Sequence, residues 1–333
     1  LIGSGAGFFP TFNRGKQSIC LNLKSPEGIA VAKKLIDSAD ILVENYRPGA
    51  MDRLGLDYES LAQSNPRLIY CSAKGFLPGP YEQRTALDEV AQMMGGLAYM
   101  TGPPGQPLRA GSSVVDITGG MFGVIAVQAA LEQRHRTGKG QKVQSALFET
   151  TVYLIAQHMA QMAVTGQAAA PMPARISAWA VYDVFETKDD PVFIGVVTDS
   201  LWEKFCALFG LDELWADEAL RINNARVQAR DRIIPVIRDM VKSYTSSEII
   251  AKLEGTGLPF APIAKPEDMF DDPHLNASGG LEPVRLPDGS ETMLPLIPIE
   301  MNGHRLGVSS AIPQIGENTS SILIALGYDD AEI

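Results

Sequence analysis

Cysteine is scarce in this chain of 333 residues: Cys20, Cys71 and Cys206 lie far apart and are odd in number. No CxxC occurs, which excludes a disulfide framework and a zinc knuckle and fits a reducing, cytoplasmic setting. Histidine is little commoner. His135, His158, His274 and His304 show no HExxH spacing, so each reads as a surface or packing residue and no metal site is expected. Positive charge is also short. The 28 Lys and Arg against 39 Asp and Glu leave a net −11, which argues against nucleic acid or an anionic membrane surface as partner. No apolar run reads as a membrane span, since 152–164 is broken by Gln157, His158 and Gln161. No signal peptide is visible. Gly3, Gly5 and Gly7 do not make GxGxxG, because position 8 is Phe, so the fingerprint of an NAD-dependent dehydrogenase is missing.

What is present is chain enough for a large core, with 45% hydrophobic residues. Short apolar strands alternate with helices over the first half. The pattern predicts strands at 18–23, 40–44, 67–72 and 142–148, and helices from Pro26, at 48–54, 58–64, 88–97 and 149–164. Ser25-Pro26-Glu27 is a helix start with a cap, a proline and an acid in order. This alternation predicts an α/β fold with a parallel-sheet large domain over 1–170. Ala168 to Ala174 has linker composition. Beyond it, 180–186 and 192–197 flank Lys188-Asp-Asp-Pro191 as an antiparallel hairpin, helices follow at 200–209, 224–243 (kinked at Pro235) and 246–254, and Pro287-Asp288-Gly289 marks a second hairpin. That is a smaller α+β domain over 178–295. The tail, 305–333, ends in a helix at 318–326.

The stretch Arg109 to Gly123 draws attention. Val114 and Val115 read as the end of a buried strand, and Asp116 precedes an apolar helical run from Ile117 to Leu131. Asp116 has two readings. It is an N-cap, accepting orphan N–H groups; or, because Gly119 and Gly120 would leave the first turn bare, it is a carboxylate nucleophile beside an oxyanion site.

Several segments together resemble the class III CoA-transferases. They are Asn13-Arg-Gly-Lys-Gln-Ser18, Leu23-Lys-Ser-Pro-Glu-Gly28, Asp40-Ile-Leu-Val-Glu-Asn-Tyr-Arg-Pro-Gly49, Asn65-Pro-Arg-Leu-Ile-Tyr70, Arg136-Thr-Gly-Lys-Gly-Gln141 and Pro313-Gln-Ile-Gly-Glu-Asn-Thr319. The resemblance implies a Rossmann-like large domain, a small domain on two linkers, a C-terminal return to the large domain, and a homodimer of interlocked rings. The family carries a further strand–helix–strand unit before the position of Phe8, holding part of the CoA site, and the expectation is that this chain lacks it. Asp116 matches the family's nucleophile. Leu21 and Lys24 match positions at the nucleotide end of CoA. Asn45, Tyr46 and Arg53 match a second cluster around phosphates and pantetheine. The implied substrates are an acyl-CoA and a carboxylic acid, with CoA as co-substrate and no tightly bound cofactor.

The glycine-rich loop of the formyl-CoA enzymes is missing at 175–181, which argues against formyl transfer to oxalate; the expected substrate class is a dicarboxylic acid or its half-thioester, such as a succinyl-type donor. Two rivals remain: a 2-methylacyl-CoA racemase of the same fold and a non-catalytic CoA-binding subunit. The racemase would need a His where Leu87 stands.

Overall fold

The structure is a computed structural model that describes residues 7–175, 177–286, 289–308 and 312–329. By contact the chain divides into two compact units. The first is Leu1–Arg175, Val284–Glu291 and Val308–Ile333, and the second is Ile176–Pro283 and Thr292–Gly307.

The first unit runs α1 (Phe8–Phe12), α2 (Pro26–Ser38), β1 (Ile41–Glu44), α3 (Ala50–Arg53), α4 (Tyr58–Ser64), β2 (Ile69–Lys74), α5 (Asp88–Met94), α6 (Leu97–Thr101), α7 (Val114–Thr137), β3 (Gln141–Ala146), α8 (Leu147–Leu154) and α9 (Ala156–Thr165). The three strands form a parallel sheet in the order β1-β2-β3, with Ile41 opposite Ile69 and Ile69 opposite Gln141. Alternation along β2 supplies both faces. Leu68 and Tyr70 pack with Ala32, Ile36 and Leu61 of α2 and α4. Ile69 and Cys71 pack with Val127 and Ala130 of α7. A strand buried on both sides is the mark of a parallel sheet covered by helices.

α2 begins as its sequence demands. Ser25 Oγ accepts the Gly28 N–H at 3.1 Å, and Pro26 occupies the first turn. α7 is longer than its apolar run. The buried face carries Val115, Gly119, Gly123 and Val127, spaced by four residues, with Gly123 and Val127 against the sheet and Gly119 against Leu147 and Thr150 of α8. A Cβ at Gly123 would lie 3.3 Å from Ser145 Oγ, so glycine lets the helix sit close to the strands. Larger apolar side chains are left on the other face: Met121, Val124 and Ile125 are each more than half exposed. This corrects the expectation that no segment resembles a membrane span. Among the described residues α7 is long and apolar enough to cross a membrane, by length and composition only. At its C-terminus, buried Arg134 donates to Asp40 Oδ1 at 2.9 Å and to the Arg67 carbonyl at 3.0 Å.

In the second unit β4 (Tyr182–Phe185) and β5 (Val192–Gly195) pair antiparallel as expected, and β6 (Phe260–Pro262) joins β5. Around them pack α10 (Asp199–Phe209), α11 (Asp212–Ala216), α12 (Asn223–Gln228), α13 (Arg230–Val241) and α14 (Ser246–Leu253), on a core centred on Phe185, Ile194, Trp202, Phe205, Ile233 and Ile249. The expected helix over 224–243 breaks at Ala229, not at Pro235. Ile233, Ile234, Ile237 and Val241 bury one face of α13 on both sides of the proline and hold it helical. The expected helix over 149–164 likewise divides at Ile155. Pro287 and Asp288, expected to form a turn, lie outside the described residues, as does Gly3-Ser-Gly5.

Residues 18–23 are not a strand, despite their alternation. Their partners are polar groups of the tail. Ser18 N–H donates to Asn318 Oδ1 at 2.9 Å, Cys20 N–H to Thr319 Oγ1 at 3.0 Å, and Gly316 N–H to Ser18 Oγ at 3.0 Å. The last helix among the described residues is α15 (Thr319–Ala325).

Candidate active site

The N-terminus of α7 is capped from outside the helix. Ser113, at the N-cap, makes no side-chain capping bond. Instead Asp88 Oδ2 accepts the Val115 N–H at 2.9 Å and the Asp116 N–H at 3.3 Å. Asp88 is the first residue of α5 and is only 3% exposed. Its Oδ1 accepts from Gln92 Nε2 at 2.5 Å and lies 3.5 Å from Arg109 Nη2. Gln92 Oε1 accepts the Ala110 N–H at 2.8 Å, and Arg109 also pairs with Glu89.

Three expectations are corrected here. Val114 and Val115 open the helix and do not end a strand. Asp116 is the third helical residue, not the N-cap. Gly119 and Gly120 fall in the second turn, so the first turn is not bare. The physical reason is that a buried carboxylate on α5 satisfies the orphan donors that a local cap would have taken.

Asp116 is thereby left without a capping task. Its side chain is exposed, and among the described residues no hydrogen-bond donor holds its carboxylate. Partial desolvation pushes its pKa above the ordinary aspartate value, the charges of Asp88 and Glu89 push the same way, and Arg109 opposes them. A more basic carboxylate is the better nucleophile while it stays ionised. Space lies beside it on the helix, because a Cβ on Gly120 would meet nothing within 4 Å.

A cavity of about 270 Å³ opens at the carboxyl ends of the three parallel strands. Its walls include Glu44 from β1, Ser72 and Lys74 from β2, Gln144 from β3, and Arg47 and Tyr58 from the intervening segments. Ligands of open α/β sheets settle at this edge. Glu44 is buried and organises the wall. It accepts from Lys74 Nζ, 2.8 Å from Oε1, from the Ser72 hydroxyl and, at 2.9 Å, from the Tyr46 N–H. Lys74 Nζ also donates to the Tyr46 carbonyl at 2.7 Å.

Of the residues matched to a CoA site, Asn45 and Tyr46 sit between the wall residues Glu44 and Arg47, and Arg53 follows Asp52. Arg53 Nη1 lies 3.2 Å from where a Cβ on Gly49 would stand, at the cavity rim. None of the three lines the cavity itself. Leu21 packs its side chain into the core below α2, and Lys24 is exposed beside it. Asp116 is not among the lining residues either. Reasoning from sequence missed Lys74, Glu44 and Ser72, whose juxtaposition depends on strand register, and it missed the capping role of Asp88.

Comparison with known proteins gives this geometry a family. The model of CoA-transferase family III matches residues 2–319. The chain is 33% identical over 325 residues to a succinate–glutarate CoA-transferase of Agrobacterium fabrum, covering 96% of this chain and 81% of that protein. It is 30% identical over 336 residues to the human succinyl-CoA:glutarate CoA-transferase, covering 100% and 76%. It is also 33% identical over 306 residues to an acetyl-CoA:oxalate CoA-transferase of Acetobacter aceti, covering 91% and 77%. Among solved structures, a CaiB/BaiF family protein from Brucella suis superposes with a TM-score of 0.84 at 34% identity, covering 96% of this chain and 84% of that one. A racemase and a non-catalytic subunit gain no support from these matches. With its parallel α/β sheet and with relatives that are named transferases along almost its whole length, the chain belongs to CoA-transferase family III and is an enzyme of that class.

Proposed function

We propose that Asp116 is the nucleophile of a CoA transfer between an acyl-CoA thioester and a carboxylic acid. The observation that carries this is an exposed aspartate with a raised pKa, freed from capping by Asp88, at the start of α7. Asp116 attacks the thioester carbonyl, the C–S bond breaks, and CoA leaves as thiolate from a mixed anhydride. The thiolate attacks the Asp116 carbonyl, releasing the first acid and leaving an aspartyl-CoA thioester. The acceptor carboxylate attacks that thioester and forms a second anhydride. CoA thiolate then takes the acceptor acyl group and returns Asp116 as carboxylate. Every step exchanges a carboxylate for a thiolate at an acyl carbon, so no external oxidant or base enters.

Leu21, Lys24, Asn45, Tyr46 and Arg53 hold CoA in this reading. The two cations supply charge for phosphate, and the Tyr46 backbone is locked to the Glu44–Lys74 wall. The succinyl and glutarate names of the relatives support a dicarboxylic acid as acceptor and a succinyl-type donor. The exposed apolar faces of α7 (Met121, Val124, Ile125) and α9 (Met159, Met162) support a homodimer in which a second copy covers them, of the interlocked type. The free thiols of Cys20, Cys71 and Cys206 support a cytoplasmic setting.

The test is trapping. Wild type incubated with succinyl-CoA and then hydroxylamine carries a hydroxamate on the peptide containing Asp116, and Asp116→Asn neither transfers CoA nor is labelled. A label on another carboxylate, or full transfer by Asp116→Asn, removes the assignment.

A further inference from the structure

Asp88 is a buried carboxylate that the transfer steps do not use, and its contacts converge on the nucleophile. Val115 and Asp116 each donate a backbone N–H to one of its oxygens, at 2.9 and 3.3 Å. The other oxygen is held by Gln92, four residues on along α5, and lies beside Arg109. Gln92 in turn holds the Ala110 N–H. The segment 109–116 is therefore fastened at both ends to one face of α5, by two adjacent side chains.

We propose that Asp88 is a positioning residue for this reaction. It fixes the backbone that carries Asp116, and it takes over the capping of α7 so that the Asp116 carboxylate points free. The inference rests on Asp116 being the nucleophile.

Two physical effects follow. A carboxylate at a helix N-terminus is drawn to the first-turn N–H groups. With Asp88 occupying the Val115 and Asp116 N–H groups, these two donors do not hold the Asp116 carboxylate, and its oxygens stay available to an acyl carbon. The second effect is charge. The groups facing Asp116 are Asp88 and Glu89 from α5 and Arg109 from the segment before α7, while Glu149 of α8 is turned to the Leu77 N–H. Negative charge on Asp88 makes the Asp116 carboxylate more basic, in the direction a nucleophile needs.

The experiment compares wild type, Asp88→Asn and Asp88→Ala as full-length enzyme, using succinyl-CoA with glutarate as acceptor. Asparagine keeps an oxygen for the two N–H groups but loses the charge. Its acid limb of kcat should move to lower pH, with KM for succinyl-CoA nearly unchanged. Alanine loses the cap as well. The kcat and the rate of hydroxylamine-trapped labelling at Asp116 should then fall on the order of 100-fold, as misplacement of a reacting group does, while KM again moves little. Asp88→Glu should recover less activity than Asp88→Asn, because the longer side chain displaces the segment.

A folded Asp88→Ala enzyme that labels Asp116 at the wild-type rate would overturn the proposal. So would an Asp88→Glu enzyme with wild-type kcat and labelling rate, and that variant decides alone if the alanine variant does not fold. Absence of label on Asp116 in the wild type refutes the nucleophile assignment, which separates that failure from the failure of positioning by Asp88.

Discussion

Lys74 Nζ lies 2.8 Å from Glu44 Oε1 across two adjacent parallel strands, and both side chains are largely withdrawn from solvent. Register puts them there: Glu44 pairs with Ser72, two residues before Lys74 on the same face of β2. Removing one partner of such a pair strands a buried charge. Lys74→Met should cost about 3–5 kcal/mol in denaturant unfolding. The double variant Lys74→Met, Glu44→Gln should recover a large part of that loss. A single variant as stable as wild type would show that the pair does not hold the cavity wall.

Asp116→Asn should stabilise the fold at neutral pH while abolishing transfer. The pKa of Asp116 is raised in the fold, so the folded chain binds the proton more readily than the unfolded one. Ionisation therefore costs stability above the folded pKa, and the cost disappears as pH falls below the unfolded value of about 3.9. The gain at pH 7 should stay under about 1 kcal/mol, because solvent screens an exposed group. Thermal melts near pH 7 and pH 3 check both ends: the variant should exceed wild type at the first and match it at the second.

Gly28→Ala should destabilise the first unit. A Cβ there would stand 2.1 Å from the Asn22 carbonyl oxygen, which is backbone and cannot swing aside. Overpacking of this kind costs about 1–3 kcal/mol, occasionally more. The strain falls on residues 22–28, so affinity for a CoA thioester should drop along with the unfolding midpoint. An unchanged midpoint would mean that the turn relaxes freely.

Lys24→Ala and Arg53→Ala should weaken binding without unfolding anything, since both side chains are exposed. Charge-assisted contacts to phosphate contribute about 1–3 kcal/mol each. Calorimetric titration with succinyl-CoA reads this directly, and unchanged affinity in both variants would take them out of the site.

The parts legible in the sequence were those fixed by neighbours along the chain. Ser25-Pro26 announced α2, the apolar runs announced β1 and β2, and Lys188 to Pro191 announced the turn between β4 and β5. What depended on partners distant in sequence was not legible. Residues 18–23 alternate like a strand but bond to side chains some 300 positions away. Asp116 has the local signature of a cap, yet the cap comes from Asp88, 28 residues earlier.

The bonds between Ser18–Cys20 and Gly316–Thr319 set an order on synthesis. A ribosome delivers the leading segment first, and domains begin to fold as they emerge. The sheet of β1, β2 and β3 needs only residues up to 146, so it can form while translation continues. The stretch that leads into Leu21 and Lys24 cannot be fastened until Asn318 and Thr319 have been added. A nascent chain therefore passes through a stage with its sheet built and the 18–20 segment loose, and translation that stops before Gly316 yields a product with a folded centre and that segment unfastened.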